Sequence, residues 1–125
     1  MAALLLVAIG GAIGASLRHL VGAAALRTLG PSFPWGTMGI NVAGSLAMGL
    51  LAGALARRSD VSEAMRLFVG VGLLGGFTTF SAFSLDVVVL WERSEAGAAM
   101  FYAAGSVVLS ILALFAGLWL ARTVW

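Results

Sequence analysis

The chain has no cysteine, no lysine, one histidine, two prolines and five acidic residues among its 125. Without cysteine there is no disulfide, no thiolate metal site and no thiol nucleophile. His19 alone cannot complete a metal cage. No acid precedes Asp60, so the first spans offer no carboxylate that could titrate during transport. No nucleophile beside a base and no phosphate loop occurs, which argues against an enzyme. Charge is also scarce: only 10% of residues are charged and the formal net charge is +2. The sequence pI near 10.5 therefore reflects seven arginines scattered at span ends, not a patch for nucleic acid.

What is abundant is apolar surface. Hydrophobic residues make up 62% of the chain and the mean hydropathy is +1.09, beyond what a water-facing surface tolerates. A hydrocarbon core about 30 Å thick takes roughly 20 residues per helical crossing, so this length accommodates four crossings in a single domain with short connections. The expected helices cover about residues 3–26, 35–56, 67–91 and 96–121. No basic residue precedes the first apolar run, which reads as a retained helix and not a secretory signal. Gly30, Pro31 and Pro34 break the chain after it. Arg57, Arg58, Ser59, Asp60 and Ser62 form the next polar connection, where Asp60 or Ser62 suits a helix cap. Trp35, Trp91, Trp119 and Trp125 fall near span ends, as an interfacial belt requires.

Four crossings place both termini on one side. Arg57, Arg58, Arg66 and Arg122 then lie on that side, and Arg18, Arg27 and Arg93 on the other. So even a distribution gives almost no positive-inside bias, and insertion in both orientations is expected. The interior of one such chain is too small to enclose a pathway, so it is expected to oligomerise. Gly10 with Gly14, Gly49 with Gly53, and Gly72 with Gly76 have the four-residue spacing that lets helix backbones approach, within one subunit or between two.

Polar groups at membrane depth need partners. Asn41 carries an amide into the second span beside Gly44 and Ser45, available either to a passing ion or to a neighbouring helix. In the third span, Gly75 and Gly76 are followed by Phe77 and the β-branched Thr78 and Thr79. Paired glycines before paired threonines make a poor helix, so a break is expected there, with backbone carbonyls able to hold an alkali cation. Phe77, Phe80 and Phe83 recur every three residues, with Ser81 and Ser84 on the adjacent stripe. Ring edges are electropositive and suit an anion, although such stripes also serve packing. No Arg is expected near the centre, so any anion there would be held by weak serial donors.

These residues resemble the Fluc (CrcB-type) fluoride channels. Gly10-Gly11, Gly14-Ala15 and Arg18 resemble that family's first-helix pattern. Gly36-Thr37, Asn41, Gly44-Ser45 and Gly49 resemble its second, and Gly75 through Ser84 its third. The resemblance implies an all-α membrane protein with a broken third helix, forming an antiparallel dual-topology homodimer with two pores in a bacterial inner membrane. It implies passive fluoride export, with Asn41 as amide donor and Phe80 and Phe83 as edge-on rings. It also implies a structural sodium ion at the dimer interface, on the carbonyls of Gly75 and Thr78. Ser81, Ser84 and Arg18 match positions in or near the pathway, and Thr37, Tyr102, Ser106 and Ser110 match a polar track beyond the rings. Two departures stand out: Ala82 replaces a usual hydroxyl and Asp86 a usual glutamate. The alternatives are a small multidrug-type transporter, which needs an early carboxylate that is missing, and a non-transporting accessory subunit.

Overall fold

The computed structural model describes residues 1–125, and all its regular structure is helical. α1 spans Ala2–Leu29 and α2 spans Trp35–Arg57. The third crossing, Glu63–Glu92, is assembled from α3 (Glu63–Met65), a π-helical segment (Arg66–Leu74), α4 (Gly75–Phe77) and α5 (Phe80–Glu92). α6 spans Ala96–Val124. Four stretches are long and apolar enough to cross a membrane.

The helices extend past several expected limits for local reasons. α1 continues to Leu29 because nothing stops it before Gly30, whose φ of +80° is a conformation that favours glycine. The third crossing starts at Glu63 because the Ser62 hydroxyl accepts the Met65 amide proton at 3.2 Å, capping the first turn. Glu63 also accepts from Arg66 at 3.0 Å, so this polar turn belongs to the helix. Sequence periodicity did not anticipate the π-helical segment. Its i→i+5 pattern shows where the Gly75 amide reaches the Gly70 carbonyl, a widened turn of a kind often found at functional sites.

Two helix pairs form the frame, and in each the backbones touch. Any Cβ on Gly10 or Gly14 would strike the carbonyls of Phe68 or Leu73, and one on Gly76 would come within 2.6 Å of the Gly11 carbonyl. α1 thus lies directly on the π-helical segment and α4. In the same way a Cβ on Gly49 would strike the Leu114 carbonyl, and one on Gly53 would lie 2.5 Å from the Ala121 Cβ, which seats α2 on α6. All three glycine pairs therefore serve packing inside one subunit.

Only 17 of 125 residues are buried, so the single chain has a thin core. Met38, Phe83, Leu90, Ala99 and Tyr102 form its main cluster. Leu4, Ile9, Leu85, Leu112 and Phe115 face outward, a surface stable only against lipid or another protein.

Candidate functional site

The site is organised by Thr78 and Thr79. Both are extended, with ψ of 155° at Thr78 and φ, ψ of −152°, 126° at Thr79, a conformation that β-branched residues favour. Gly75 and Gly76 stay helical, so within the stretch where a break is expected it is the threonines that leave the helix. Side chains replace the interrupted backbone ladder. The Thr79 hydroxyl accepts the Ala82 amide proton at 3.2 Å and caps α5. The Thr78 hydroxyl donates to the Leu74 carbonyl at 3.0 Å.

Asn41 supplies the remaining partners. Its Oδ1 accepts the Thr79 amide proton at 2.8 Å and its Nδ2 donates to the Thr79 carbonyl at 2.9 Å. In a continuous helix the Thr79 and Ala82 amides would bond the carbonyls four residues back or nearby. Here Thr79 is taken by Asn41 and Ala82 by the Thr79 hydroxyl. The Gly75 carbonyl loses its i+4 donor at Thr79, and the Thr78 carbonyl loses the one at Ala82.

Arg18 also reaches this point. Its Nε donates to the Gly76 carbonyl at 3.1 Å, at the C-terminal end of a half-helix where positive charge is favoured. Gly76 lies near the middle of the crossing Glu63–Glu92. The expectation of a centre without arginine is therefore wrong: with α1 running from Ala2 to Leu29, residue 18 falls at mid-depth and not near the helix end.

Beside Thr79 a cavity of about 510 Å³ is lined by Asn41, Thr79, Phe80, Phe83, Ser106 and Ser110, together with Gly75 and Thr78. Its lining contains no charged side chain. Ser106 is 3% exposed and its hydroxyl has no hydrogen-bond partner, an uncommon and costly state for a buried polar group. Phe80 and Phe83 flank the space with ring centroids 5.5 Å apart and planes at 44°. Phe83 is buried, whereas Phe80 is 76% exposed at the surface of the single chain.

Tyr102 is fully buried and lines neither this cavity nor the second one. Its ring lies 5.3 Å from Phe83, and its hydroxyl donates to Asp86 Oδ2 at 3.0 Å. Asp86 and Thr37 line the second cavity, of about 330 Å³, beside the α1–α2 loop with Arg93. Although a methylene shorter than glutamate, Asp86 still reaches the tyrosine. Tyr102 thus touches Phe83 of the first cavity and Asp86 of the second.

The expected site residues therefore divide. Asn41, Phe80, Phe83, Ser106, Ser110, Gly75 and Thr78 share one cavity. Thr37 lines the other. Ser81 is exposed and close to the Thr79 hydroxyl at 3.3 Å, and the Ser84 hydroxyl donates to the Phe80 carbonyl at 2.9 Å. Neither serine lines either cavity. Phe77 precedes the extended residues, so it shares no continuous stripe with Phe80 and Phe83. Thr79, at the hub, was read only as part of a weak helix; a hydroxyl residue before an apolar helical run is the capping signal that points to it. Nothing in the structure explains Ala82.

The family model described as CrcB-like protein, Camphor Resistance (CrcB), matches residues 5–118. The chain is 64% identical over 121 residues to the fluoride-specific ion channel FluC of Chelativorans sp. (strain BNC1), covering 97% of each chain. It is 59% identical over 120 residues to the FluC of Mesorhizobium japonicum (strain LMG 29417 / CECT 9101 / MAFF 303099), covering 96% of each. With the FluC of Phenylobacterium zucineum (strain HLK1) it shares 57% identity over 125 residues, covering 99% of this chain and 98% of the other. These matches run through both helix pairs, the extended threonines and the cavity, and the chain belongs to the CrcB-like family.

Proposed function

We propose that the chain is a fluoride-selective channel, not an enzyme, and that it lets fluoride leave the cytoplasm down its electrochemical gradient. The observation that carries this reading is the charge-free cavity flanked by Phe80 and Phe83 and lined by Ser106, whose buried hydroxyl has no protein partner. Fluoride is small and strongly hydrated, so its water must be replaced by hydrogen-bond donors. Neutral donors and ring edges supply that without a charged side chain in the lining that would trap the ion. The names of the relatives, fluoride-specific ion channels over nearly their full length, support the same ion. In this reading Asn41, Ser106 and Ser110 donate to fluoride beside the two rings. Thr37 and Tyr102 continue the track, Ser81 and Ser84 border it, and Arg18 adds positive potential nearby.

The functional unit in this proposal is an antiparallel homodimer in the inner membrane, with two pores. A ring as exposed as Phe80, on a chain with so thin a core, supports a partner subunit over the cavity. The Gly75 and Thr78 carbonyls, stripped of their i+4 donors, fit a structural sodium ion held by neutral oxygens. Bound there, the cation would supply fixed positive charge and tie the two subunits together. Dual insertion is expected from a count of four arginines against three; with Arg18 at mid-depth the count is four against two, a small difference that biases insertion toward one orientation without fixing it. A reporter active only in the cytoplasm, fused to the C-terminus, is expected to give partial signal; full signal or none would refute dual insertion.

Purified protein in liposomes is expected to release fluoride rapidly and chloride slowly, followed with ion-selective electrodes. Folded dimer that released no fluoride would favour the accessory-subunit reading. A small multidrug-type transporter is disfavoured by the lack of any acid before Asp60. Ser106→Ala separates conduction from folding. Because the hydroxyl has no protein partner, its removal is expected to leave stability unchanged or raise it by about 1–3 kcal/mol, while fluoride flux falls. A large loss of melting temperature would show instead that Ser106 is structural.

A further inference from the structure

Asn41 makes two hydrogen bonds, and both go to the backbone of one residue. Thr79 N–H can only donate and its carbonyl can only accept, so a single amide orientation satisfies both, at 2.8 and 2.9 Å. The side chain thus behaves as a short piece of neighbouring strand paired with an extended residue in the membrane interior. Without it, the Thr79 amide and carbonyl would lack these partners at a depth where no water replaces them. The lowest-energy repair would be for Thr79 to return to the helix and bond the Gly75 carbonyl.

We propose that Asn41 is a positioning residue for the cation site: its amide holds Thr79 extended and thereby keeps the Gly75 and Thr78 carbonyls free. This rests on the reading of those carbonyls as sodium ligands given above. Only one hydrogen of the Asn41 amide is used by Thr79; the other remains for the cavity that Asn41 lines. One side chain therefore links the cation site to the anion cavity, and its first task is structural order at Thr79. The Arg18 bond to the Gly76 carbonyl fixes the preceding turn from the opposite helix, so α1 and α2 grip consecutive parts of the same interruption.

Asn41→Asp is the discriminating substitution. It keeps the shape and the acceptor for the Thr79 amide but sets a carboxylate oxygen against the Thr79 carbonyl. The readout is the rise in dimer melting temperature when sodium replaces a large organic cation, since a ligand bound only to the folded state stabilises it. Wild-type protein is expected to show this rise, Asn41→Asp to lose it, and Ser110→Ala, a hydroxyl in the same cavity, to keep it. A general loss of stability would lower both melting temperatures and leave their difference intact. If Asn41→Asp retains the sodium-dependent rise, the positioning role is overturned and the sodium site stands. If wild-type protein shows no rise, the sodium reading falls and this inference with it. Should Asn41→Asp not fold, amide exchange at Thr79 in the wild-type protein decides. Protection comparable to the α5 amides supports the clamp, and rapid exchange at Thr79 alone overturns it.

Discussion

Phe83→Ile is expected to abolish fluoride efflux from proteoliposomes while the protein remains folded and assembled. Phe83 is buried between the Phe80 ring at 5.5 Å and the Tyr102 ring at 5.3 Å, and it borders the charge-free cavity. Isoleucine preserves apolar bulk but has no polarised edge, so the variant removes the one feature of the ring that attracts an anion. The lost aromatic pairing is worth about 0.5–1.5 kcal/mol, too little to unfold a chain held by two backbone-to-backbone helix pairs. A flux loss of at least about a hundredfold corresponds to roughly 2.7 kcal/mol of barrier, a plausible scale for a desolvated ion that loses one of few contacts. Size-exclusion elution at the wild-type position, together with electrode-measured efflux, checks both halves of the expectation. Wild-type efflux from the variant would remove the rings from the pathway and leave them as packing.

Much of this architecture is legible because membrane helices announce themselves by length and hydropathy, and their limits by a few residues. Gly30 and Pro31 end α1, and Ser62 caps α3, each through a local rule that acts on adjacent residues. What resisted reading depends on contacts across the chain. The glycine spacings were open between subunit packing and interface until Gly14 met Leu73, and Gly49 met Leu114. The weak stretch from Gly75 to Thr79 was legible, but which of its residues leave the helix was not, for the same reason. Gly75 and Gly76 have the weaker helix propensity, but Asn41, distant in sequence, supplies an alternative partner for Thr79 and so decides which residues leave the helix.

The cavity shows the same division. Asn41, Phe80, Phe83 and Ser106 were singled out by type and position, since polar groups and aromatic stripes at membrane depth are few. Their proximity was not derivable, because Ser106 is on α6 and Asn41 on α2. Arg18 illustrates the opposite error. Its charge suggested an interfacial position, whereas a carbonyl released near the end of a half-helix gives it a partner inside the membrane.

Gly14→Val is expected to have the largest effect on stability of any single substitution considered. A Cβ at position 14 would overlap the Leu73 carbonyl and lie 2.8 Å from the Phe77 nitrogen. Both are backbone atoms, so no side-chain rotation relieves the clash. Overfilling a packed site typically costs about 1–3 kcal/mol and occasionally more, and here the two β-branch carbons of valine add to the overlap. α1 would have to move off the π-helical segment and α4, drawing Arg18 away from Gly76 and exposing the glycine surface to lipid. Little protein is expected at the wild-type position in size exclusion, and what remains should melt well below wild type. Gly97→Ala provides the contrast, because a Cβ there meets nothing within 4 Å, and its melting temperature should be close to wild type. If Gly14→Val assembled and melted normally, α1 could not lie as close to the third crossing as the backbone contact requires. The same helix pair carries the Arg18 contact to the interruption, so a loosened α1 would also be expected to lose fluoride flux before complete unfolding.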